Sequence, residues 1–506
     1  LLEESMQVTI LVANFQSKIE LSPDTSNEEA YSLLNLLYSK LSVQQQNARY
    51  SEAYNTLKEN GDRVWDGYVR FFNKQNGLFL SGHLSIVQNL LDHYKISYTI
   101  KNISQKPVAI AKAIYKLPVK KPIIELRSYQ KECLDLMLSG VNRGIIYHAT
   151  NAGKSHLAIS ICESLPLRTL FLVDREELLS QALDKFRTYS SREIGVITSS
   201  DFEPREITIG MIDTIYSKLK NQYHKEDYLE YLKSVQVVFV DECHLASSPT
   251  WRYVLKRLHN AYYKYGLSGT PMVEDPARNI YLIGYIGPII HTVTNAKLVE
   301  LGFSATPILS MLEYELTRYP RVMTYADVYR EGITDNTRRN IMIADLIKEH
   351  KGKSILVIVK QLDHGKNIIA LLDKEGYFIS GQDTKSDRLL VYNRFSNKQI
   401  PVVIASMIYK YGIDIAAIDV IIYAAADKAP VTILQVLGRG LRTRKDKKEL
   451  IFYDFKDDGH RYLSRHYKLR KKIYEHEGFE VQIIPYKKEV VNECPTDSTV
   501  IQDTLY

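Results

Sequence analysis

Ten short apolar runs, five in each of two successive stretches, alternate with segments whose apolar residues recur at helical spacing. The first stretch has its runs at 144–147, 169–173, 206–210, 235–240 and 264–268; the second at 354–359, 376–380, 401–405, 420–424 and 450–453. A run that is apolar throughout suits a strand buried on both faces. Parallel strands cannot be joined by a tight turn, so a helical crossover between successive strands is what a parallel sheet requires. The pattern therefore predicts an α/β fold with two parallel-sheet domains in tandem, joined near residues 300–350. No internal sequence repeat relates the two.

The chain has 506 residues, room for roughly three domains at about 150 residues each. The residues before the first stretch mix short alternating runs with a helical segment and predict a small α+β domain. Between 101 and 124 stand six lysines, three prolines and no acidic residue, the composition of a connector, either a solvated linker or a contact for nucleic-acid phosphate. The expected division is 1–112 for the N-terminal domain and its basic linker, 113–303 and 304–485 for the two α/β domains, and 486–506 for a tail without core pattern.

Hydrophobic residues at 45% and charged residues at 25% exclude a disordered or fibrous chain. The excess of 66 Lys and Arg over 59 Asp and Glu, a net +7, suits a polyanionic partner without requiring one. Cys133, Cys162, Cys243 and Cys494 form no CxxC pair, so neither a zinc site nor a disulfide framework is signalled. The most apolar region, 400–426, is cut by Lys410, Asp414 and Asp419, too short for a membrane span. Without a readable secretion signal near residue 1, the expected location is the cytoplasm. Tyrosine is abundant, 36 residues against 14 Phe and 2 Trp, and composition cannot say whether it packs cores or stacks on bases.

The first run, 144–147, leads into His148-Ala-Thr-Asn-Ala-Gly-Lys-Ser155 and then an apolar helix, the context of a phosphate-binding loop. Thr150, Asn151, Ala152 and Gly153 would wrap the phosphates with backbone, Lys154 would reach the β and γ oxygens, and Ser155 would offer a hydroxyl to Mg2+. His148 stands where the pattern has its first glycine. The run 235–240 ends in Asp241-Glu-Cys-His244, delivering two carboxylates to the ligand-binding edge of a parallel sheet. Asp241 suits the metal, and Glu242 suits the water that attacks the γ-phosphate. Cys243 is read as an inert small residue.

With these two motifs in place the chain resembles the superfamily 2 helicases, in their DExH branch, and the remaining motifs of that family can be matched in order. Leu126-Arg-Ser-Tyr-Gln130 resembles the adenine-reading segment, which implies ATP contacts for Arg127 and Gln130. The segments 172–181 and 209–214 are similar to motifs Ia and Ib and imply nucleic-acid backbone contacts at Arg175 and Thr214. Leu267-Ser-Gly-Thr-Pro271 resembles the coupling motif III, with Ser268 and Thr270. In the second stretch, 404–414 resembles motif V, with Lys410, Gly412 and Asp414. Gln435-Val-Leu-Gly-Arg-Gly-Leu-Arg442 matches QxxGRxxR, with Gln435 in coupling. Its spacing puts Arg439 and Arg442 on one helix face, with Arg442 favoured as the arginine finger. The resemblance implies two RecA-like domains that bind ATP and Mg2+ between them, a DNA partner and no membrane.

Before the motor, Gly61-Asp-Arg-Val-Trp-Asp-Gly67 and 77–83, followed by a helix at 84–95, resemble the small leading domain of phage UvsW-type recombination helicases. The likeness extends to about residue 480. It implies ATP-driven unwinding and branch migration of forks, Holliday junctions and RNA:DNA hybrids in phage replication, recombination or repair. Trp65 and Arg70 become candidate DNA contacts, Trp65 being either a core anchor or a wedge between bases. The segment 461–472 interleaves six basic residues with two tyrosines. Arg461 and Arg465 there either touch DNA phosphate or stand on an amphipathic helix packed through Leu463, Tyr467 and Ile473. Two other readings are a duplex translocase or restriction-type motor without strand separation, and an ATP-gated clamp with little turnover.

Overall fold

The computed structural model describes residues 7–46, 48–58, 63–117, 123–315, 317–372, 376–407, 418–443 and 447–486. Three main sheets organise them. The N-terminal sheet is mixed: the antiparallel strands Val8–Val12 and Gln16–Leu21 are flanked by Leu78–Leu80 on one side and by Tyr98–Asn102, parallel to Val8–Val12, on the other. The helices Asn27–Lys40 and Leu84–His93 bury Leu33, Leu37, Val87 and Leu91 against Val8, Ile10, Ile19 and Phe79. Ser26 and Glu29 form a reciprocal capping box at the start of the first of these helices, satisfying donors that a helix end leaves open.

The second sheet has eight strands, in the order Phe202–Glu203, Ile194–Ile197, Ile207–Met211, Thr169–Val173, Val237–Asp241, Tyr263–Ser268, Arg143–His148 and Ile289–Val293. All are parallel apart from the short edge strand Phe202–Glu203. The third sheet is parallel throughout, in the order Gly376–Ile379, Val402–Ser406, Ile355–Val359, Val420–Tyr423, Glu449–Phe455, Thr306–Glu313 and Val481–Pro485. This is the α/β architecture of tandem RecA-like domains. Every one of the ten apolar runs is a strand. Ile194–Ile197, Phe202–Glu203, Ile289–Val293, Thr306–Glu313 and Val481–Pro485 were not expected; of these, Ile289–Val293 and Val481–Pro485 each lie at a sheet edge with mostly half-exposed or exposed side chains and so lack a continuous apolar run. No helix among the described residues is long and apolar enough to cross a membrane.

Beyond the N-terminal sheet the basic segment lies against the first lobe. Lys112 N–H donates to Ser164 O at 3.1 Å, and Ile114 N–H donates to Ser164 Oγ at 3.0 Å. Residues 118–122 lie outside the described residues. In the third sheet's lobe, Arg470 and Arg339 are fully buried among Asp454 and Asp457, with Arg470 Nε 2.8 Å from Asp454 Oδ2 and Arg339 Nε 2.9 Å from Asp457 Oδ1. Tyr474 and Tyr314 donate to the same two carboxylates. The helix Arg461–His476 packs through Leu463, Tyr467 and Tyr474. Its basic face is therefore smaller than its composition suggests, since Arg470 belongs to the core while Arg461, Arg465, Lys468 and Lys472 remain exposed.

The N-terminal domain docks on the first lobe by close backbone approach. A Cβ on Gly82 would meet Ile283 O at 2.0 Å, and one on Gly284 would meet His83 Nε2 at 2.6 Å, so both contacts need glycine. His83 Nε2–H donates to Ile280 O at 2.8 Å, Phe71 meets Tyr281 edge-on, and Arg143 donates to Asn14 O at 2.7 Å. Burial lowers the His83 pKa from 6.5 to about 4. A lowered imidazole pKa means that the unfolded chain binds the extra proton, so stability is complete above about pH 6.5 and is lost as pH falls toward 4. Unfolding by urea should show a loss of about 2 kcal/mol between pH 7 and 5 from this group, with His83→Gln removing that part of the pH dependence.

Candidate active site

The strand Arg143–His148 ends at the carboxyl edge of its sheet, and the chain turns through Asn151 (φ 74°) and Gly153 (φ 73°) into the helix Lys154–Ser164. These left-handed conformations bend the loop around the helix N-terminus, where backbone N–H groups attract anions. The loop is braced from below. Gln130 Nε2 donates to Ala152 O at 3.0 Å and Gly153 O at 3.1 Å, and its Oε1 accepts from Arg127 N–H at 2.8 Å. Arg127 donates to Asn151 O at 3.3 Å, and Tyr129 Oη donates to Ala152 O at 3.1 Å. Gln130, expected to read adenine, thus has its amide engaged on the phosphate loop, as a brace. Lys154 Nζ folds onto His148 O at 3.0 Å and Ala149 O at 3.3 Å, carbonyls that a phosphate oxygen could replace as its partner.

Two strands away, Val237–Asp241 delivers its carboxylates to the same edge. Glu242 takes a left-handed φ of 45°, a sparsely populated conformation for a non-glycine residue. Its Oε2 accepts from Ser268 Oγ at 3.3 Å and lies 3.4 Å from His244 Nδ1. Ser268 Oγ also accepts from Thr270 N–H at 3.0 Å, so the motif III turn is tied to the acid. Burial, together with the adjacent Glu242 charge, pushes the Asp241 carboxyl above its ordinary value. Burial alone would raise Glu242 too, but His244, Lys154 and Ser268 hold it below its ordinary value. Cys243 is buried and its thiol is held well above its ordinary pKa, consistent with an inert residue.

The second lobe closes the cleft. Thr150, Lys154, Asp174, Arg175, Glu242, His244, Gln435 and Arg439 line one small cavity of about 110 Å³. The lobes meet closely: a Cβ on Gly438 would lie 2.6 Å from Thr150 Cβ. Tyr147 Oη of the first lobe donates to Glu477 Oε1 at 2.9 Å, and Asn295 Nδ2 donates to Glu477 Oε2 at 2.8 Å. The helix Pro430–Gly440 stops before Arg442, so Arg439 and Arg442 do not share a helix face as their spacing suggested. Arg439 lines the cleft, while Arg442 lies near Tyr392 and Lys185. Lys185 was not anticipated; its Nζ donates to Ser155 Oγ at 3.5 Å. Its only sequence signal is a lysine placed one turn after the buried Ala182 on the helix Glu176–Tyr189. His244 stood in the acidic motif without an assigned role.

The remaining candidates are scattered. Arg175 is in the cleft rather than on an outer face. Thr214 is half-buried in the helix Ile212–Lys220. Trp65 is half-buried, outside the N-terminal core, with its indole N–H donating to Tyr68 O at 2.8 Å. Arg70 pairs with Asp66. Lys410, Gly412 and Asp414 lie outside the described residues.

Asp241 and Ser155 are the residues whose chemistry fits a divalent cation. Asp241 is a buried carboxylate beside the like charge of Glu242, offset in part by Lys154 and Lys185, and Lys185 also donates to the Ser155 hydroxyl; oxygen ligands of this kind suit Mg2+.

Family comparison agrees with this arrangement. The family described as type III restriction enzyme, res subunit, matches residues 123–273, and the helicase conserved C-terminal domain matches residues 338–444. Fold, cleft and these two matches define an ATP-dependent helicase of superfamily 2. Among its relatives is the ATP-dependent DNA helicase uvsW of Enterobacteria phage T4, 26% identical over 427 residues, covering 78% of this chain and 82% of that protein. Another is the DNA 3'-5' translocase XPB2 of Sulfurisphaera tokodaii, 23% identical over 377 residues, with 66% and 82% covered. In fold, the chain is similar to a fragment of a putative HsdR subunit of a type I restriction enzyme from Vibrio vulnificus YJ016, with a TM-score of 0.53, 18% identity, and 71% and 68% of the chains covered.

The contact between Gly438 and Thr150 yields a direct test. A Cβ at 438 cannot be relieved by rotating the Thr150 side chain, because the clashing atom is itself a Cβ, so the lobes must separate. Gly438→Ala is expected to lower the ATPase turnover number by about 100-fold, the usual cost of misplacing a catalytic group by an ångström, while ATP affinity measured by fluorescence titration stays close to that of the unmodified protein.

Proposed function

We propose that the chain is a DNA helicase that remodels branched DNA, drawing its two lobes together on ATP and releasing them on hydrolysis. The observation that carries this reading is the single cleft lined by Thr150, Lys154 and Glu242 from one lobe and by Gln435 and Arg439 from the other. ATP would displace the Lys154 ammonium from its loop carbonyls onto the β and γ oxygens. Mg2+, held by Ser155 and Asp241, would neutralise phosphate charge. Glu242, kept ionised by His244 and Lys154, would orient the attacking water, and Arg439 would stabilise charge on the γ-phosphoryl, with Arg442 beside Lys185 supporting it. Because Ser268 bonds Glu242 and Thr270 bonds Ser268, a change at the γ-phosphate reaches the motif III turn within two hydrogen bonds.

A DNA substrate is supported by the likeness to uvsW, a DNA helicase, and to XPB2, a DNA translocase. Branched DNA is supported by the N-terminal domain, whose seam with the first lobe holds a cavity of about 540 Å³ lined by Tyr38, Arg70, Lys74, Lys256, Tyr281 and Tyr285. Cations and aromatic rings together are the recognition chemistry of exposed nucleic-acid strands. The exposed Arg461 and Arg465 add phosphate-binding charge to the second lobe. The proposed function includes a role in phage recombination, replication or repair, with RNA:DNA hybrids among the substrates, as the sequence resemblance implied, and the division into residues 1–112, 113–303 and 304–485 drawn from the strand pattern.

Lys154→Ala and Glu242→Gln are each expected to lower DNA-stimulated ATPase activity by at least about 100-fold, the scale of losing one transition-state contact. Strand displacement over a panel of labelled forks, four-way junctions, RNA:DNA hybrids and linear duplexes is expected to favour the branched substrates, with DNA binding that weakens steeply with salt. ATP hydrolysis on duplex DNA without displacement of any strand would instead identify a translocase, and slow single turnover would identify a clamp.

A further inference from the structure

Behind the phosphate loop, three elements remote in sequence bring metal-binding side chains together. Cys133 comes from the helix Ser128–Leu138, His148 from the end of the strand Arg143–His148, and His291 from the edge strand Ile289–Val293. One atom from each, the Cys133 sulfur and a nitrogen of either ring, all lie within 4.8 Å of one another. His148 Nε2 is 2.8 Å from His291 Nδ1, and Glu132 Oε2 is 3.9 Å from His291 Nε2. Cys133 is a reduced, fully buried thiol. His148 Nδ1 is buried with no hydrogen-bond partner among the described residues. The ring pair shares one proton between two nitrogens and leaves another nitrogen in a dry site with nothing to bond.

We propose that Cys133, His148 and His291 form a site for a zinc-class divalent ion, which fastens the first residue of the phosphate loop to the helix beneath it. One thiolate and two imidazoles are the donor set that zinc prefers, whereas Mg2+ and Ca2+ prefer oxygen. Bonds of about 2.0–2.1 Å to nitrogen and about 2.3 Å to sulfur at tetrahedral angles require donors roughly 3.3–3.6 Å apart. The present spacings, 2.8 Å between the rings and at most 4.8 Å across the set, bracket that range, so small side-chain rotations form the site. A ring flip exchanges which nitrogen faces the sulfur. Binding releases the Cys133 proton to solvent as the thiolate coordinates. Glu132 is exposed and His291 stands at the sheet edge, which gives an ion a route inward and supplies a carboxylate of the kind that commonly supports a metal-bound imidazole. This site is separate from the Ser155 and Asp241 pair and does not depend on the substrate of the motor.

The test uses the full chain, freed of metal by a chelator and titrated with Zn2+ or Co2+. The expected result is about one Zn2+ retained per chain after gel filtration, an upward shift of the thermal melting midpoint, and a thiolate-to-cobalt charge-transfer band with Co2+. Cys133→Ser and His291→Ala are each expected to lower retained zinc below about 0.1 per chain and to abolish the cobalt band. Cys162→Ser, which removes an equally buried thiol from the helix Lys154–Ser164, should keep both. Should Cys133→Ser fail to fold, the cobalt spectrum of the unmodified chain and of His291→Ala decides the matter. Absence of a thiolate–cobalt band in the unmodified chain, or a band that persists in Cys133→Ser, overturns the proposal.

Discussion

Everything in the motor follows from where parallel strands end. In a parallel sheet the carboxyl ends of all strands lie on one edge, and the helices that follow them begin there. The first lobe uses this edge for the loop ahead of Lys154, for Asp241 and Glu242, and for the Ser268 turn, drawn from three adjacent strands. A polyphosphate gripped by one such edge still exposes its γ end to the other side. Here the second lobe fills that side with Gln435 and Arg439, brought so near that residue 438 must be glycine opposite Thr150. The site is thereby divided between two bodies, and in the proposed mechanism its chemistry would be available only when they are together. Such division would make hydrolysis a mechanical event.

The N-terminal domain is held to the first lobe by a different kind of constraint. Backbone meets backbone at Gly82 and Gly284, with a neutral buried imidazole between them. That seam keeps Arg70 and Lys74 beside Lys256 around one cavity, so any strand bound there would be held by the N-terminal domain and the first lobe jointly. The abundance of tyrosine has a structural side too. At least twelve tyrosines among the described residues are buried, and several place their hydroxyl on a buried acceptor, as Tyr314 does on Asp457, Tyr329 on Ala425 O and Tyr474 on Asp454. Tyrosine at these positions fills the volume of phenylalanine while satisfying a polar atom that would otherwise be buried alone.

Much of this was legible in the sequence because parallel sheets and phosphate loops are written locally. The ten apolar runs needed only their own composition, and the Gly153-Lys154-Ser155 and Asp241-Glu242 motifs needed only the strand before them. What escaped depends on contacts between distant residues. Edge strands such as Ile289–Val293 carry no apolar run. Arg470 reads as one more cation on a basic helix until Asp454 and Asp457 are seen beneath it. The engagement of the Gln130 amide on Ala152 and Gly153, the approach of Lys185 to Ser155, and the end of the helix before Arg442 are all settled by tertiary packing. Cys133, His148 and His291 escaped for the same reason, since no short spacing joins them.

The central claim is that the first lobe binds ATP and the second completes the reaction. Arg439→Ala tests it most directly, by comparing ATP affinity with single-turnover hydrolysis in the presence of DNA. The account predicts affinity within about threefold of the unmodified protein and hydrolysis slower by on the order of 1000-fold, the scale of losing an arginine finger. Weakened binding with unchanged turnover, or no effect on either quantity, would contradict it.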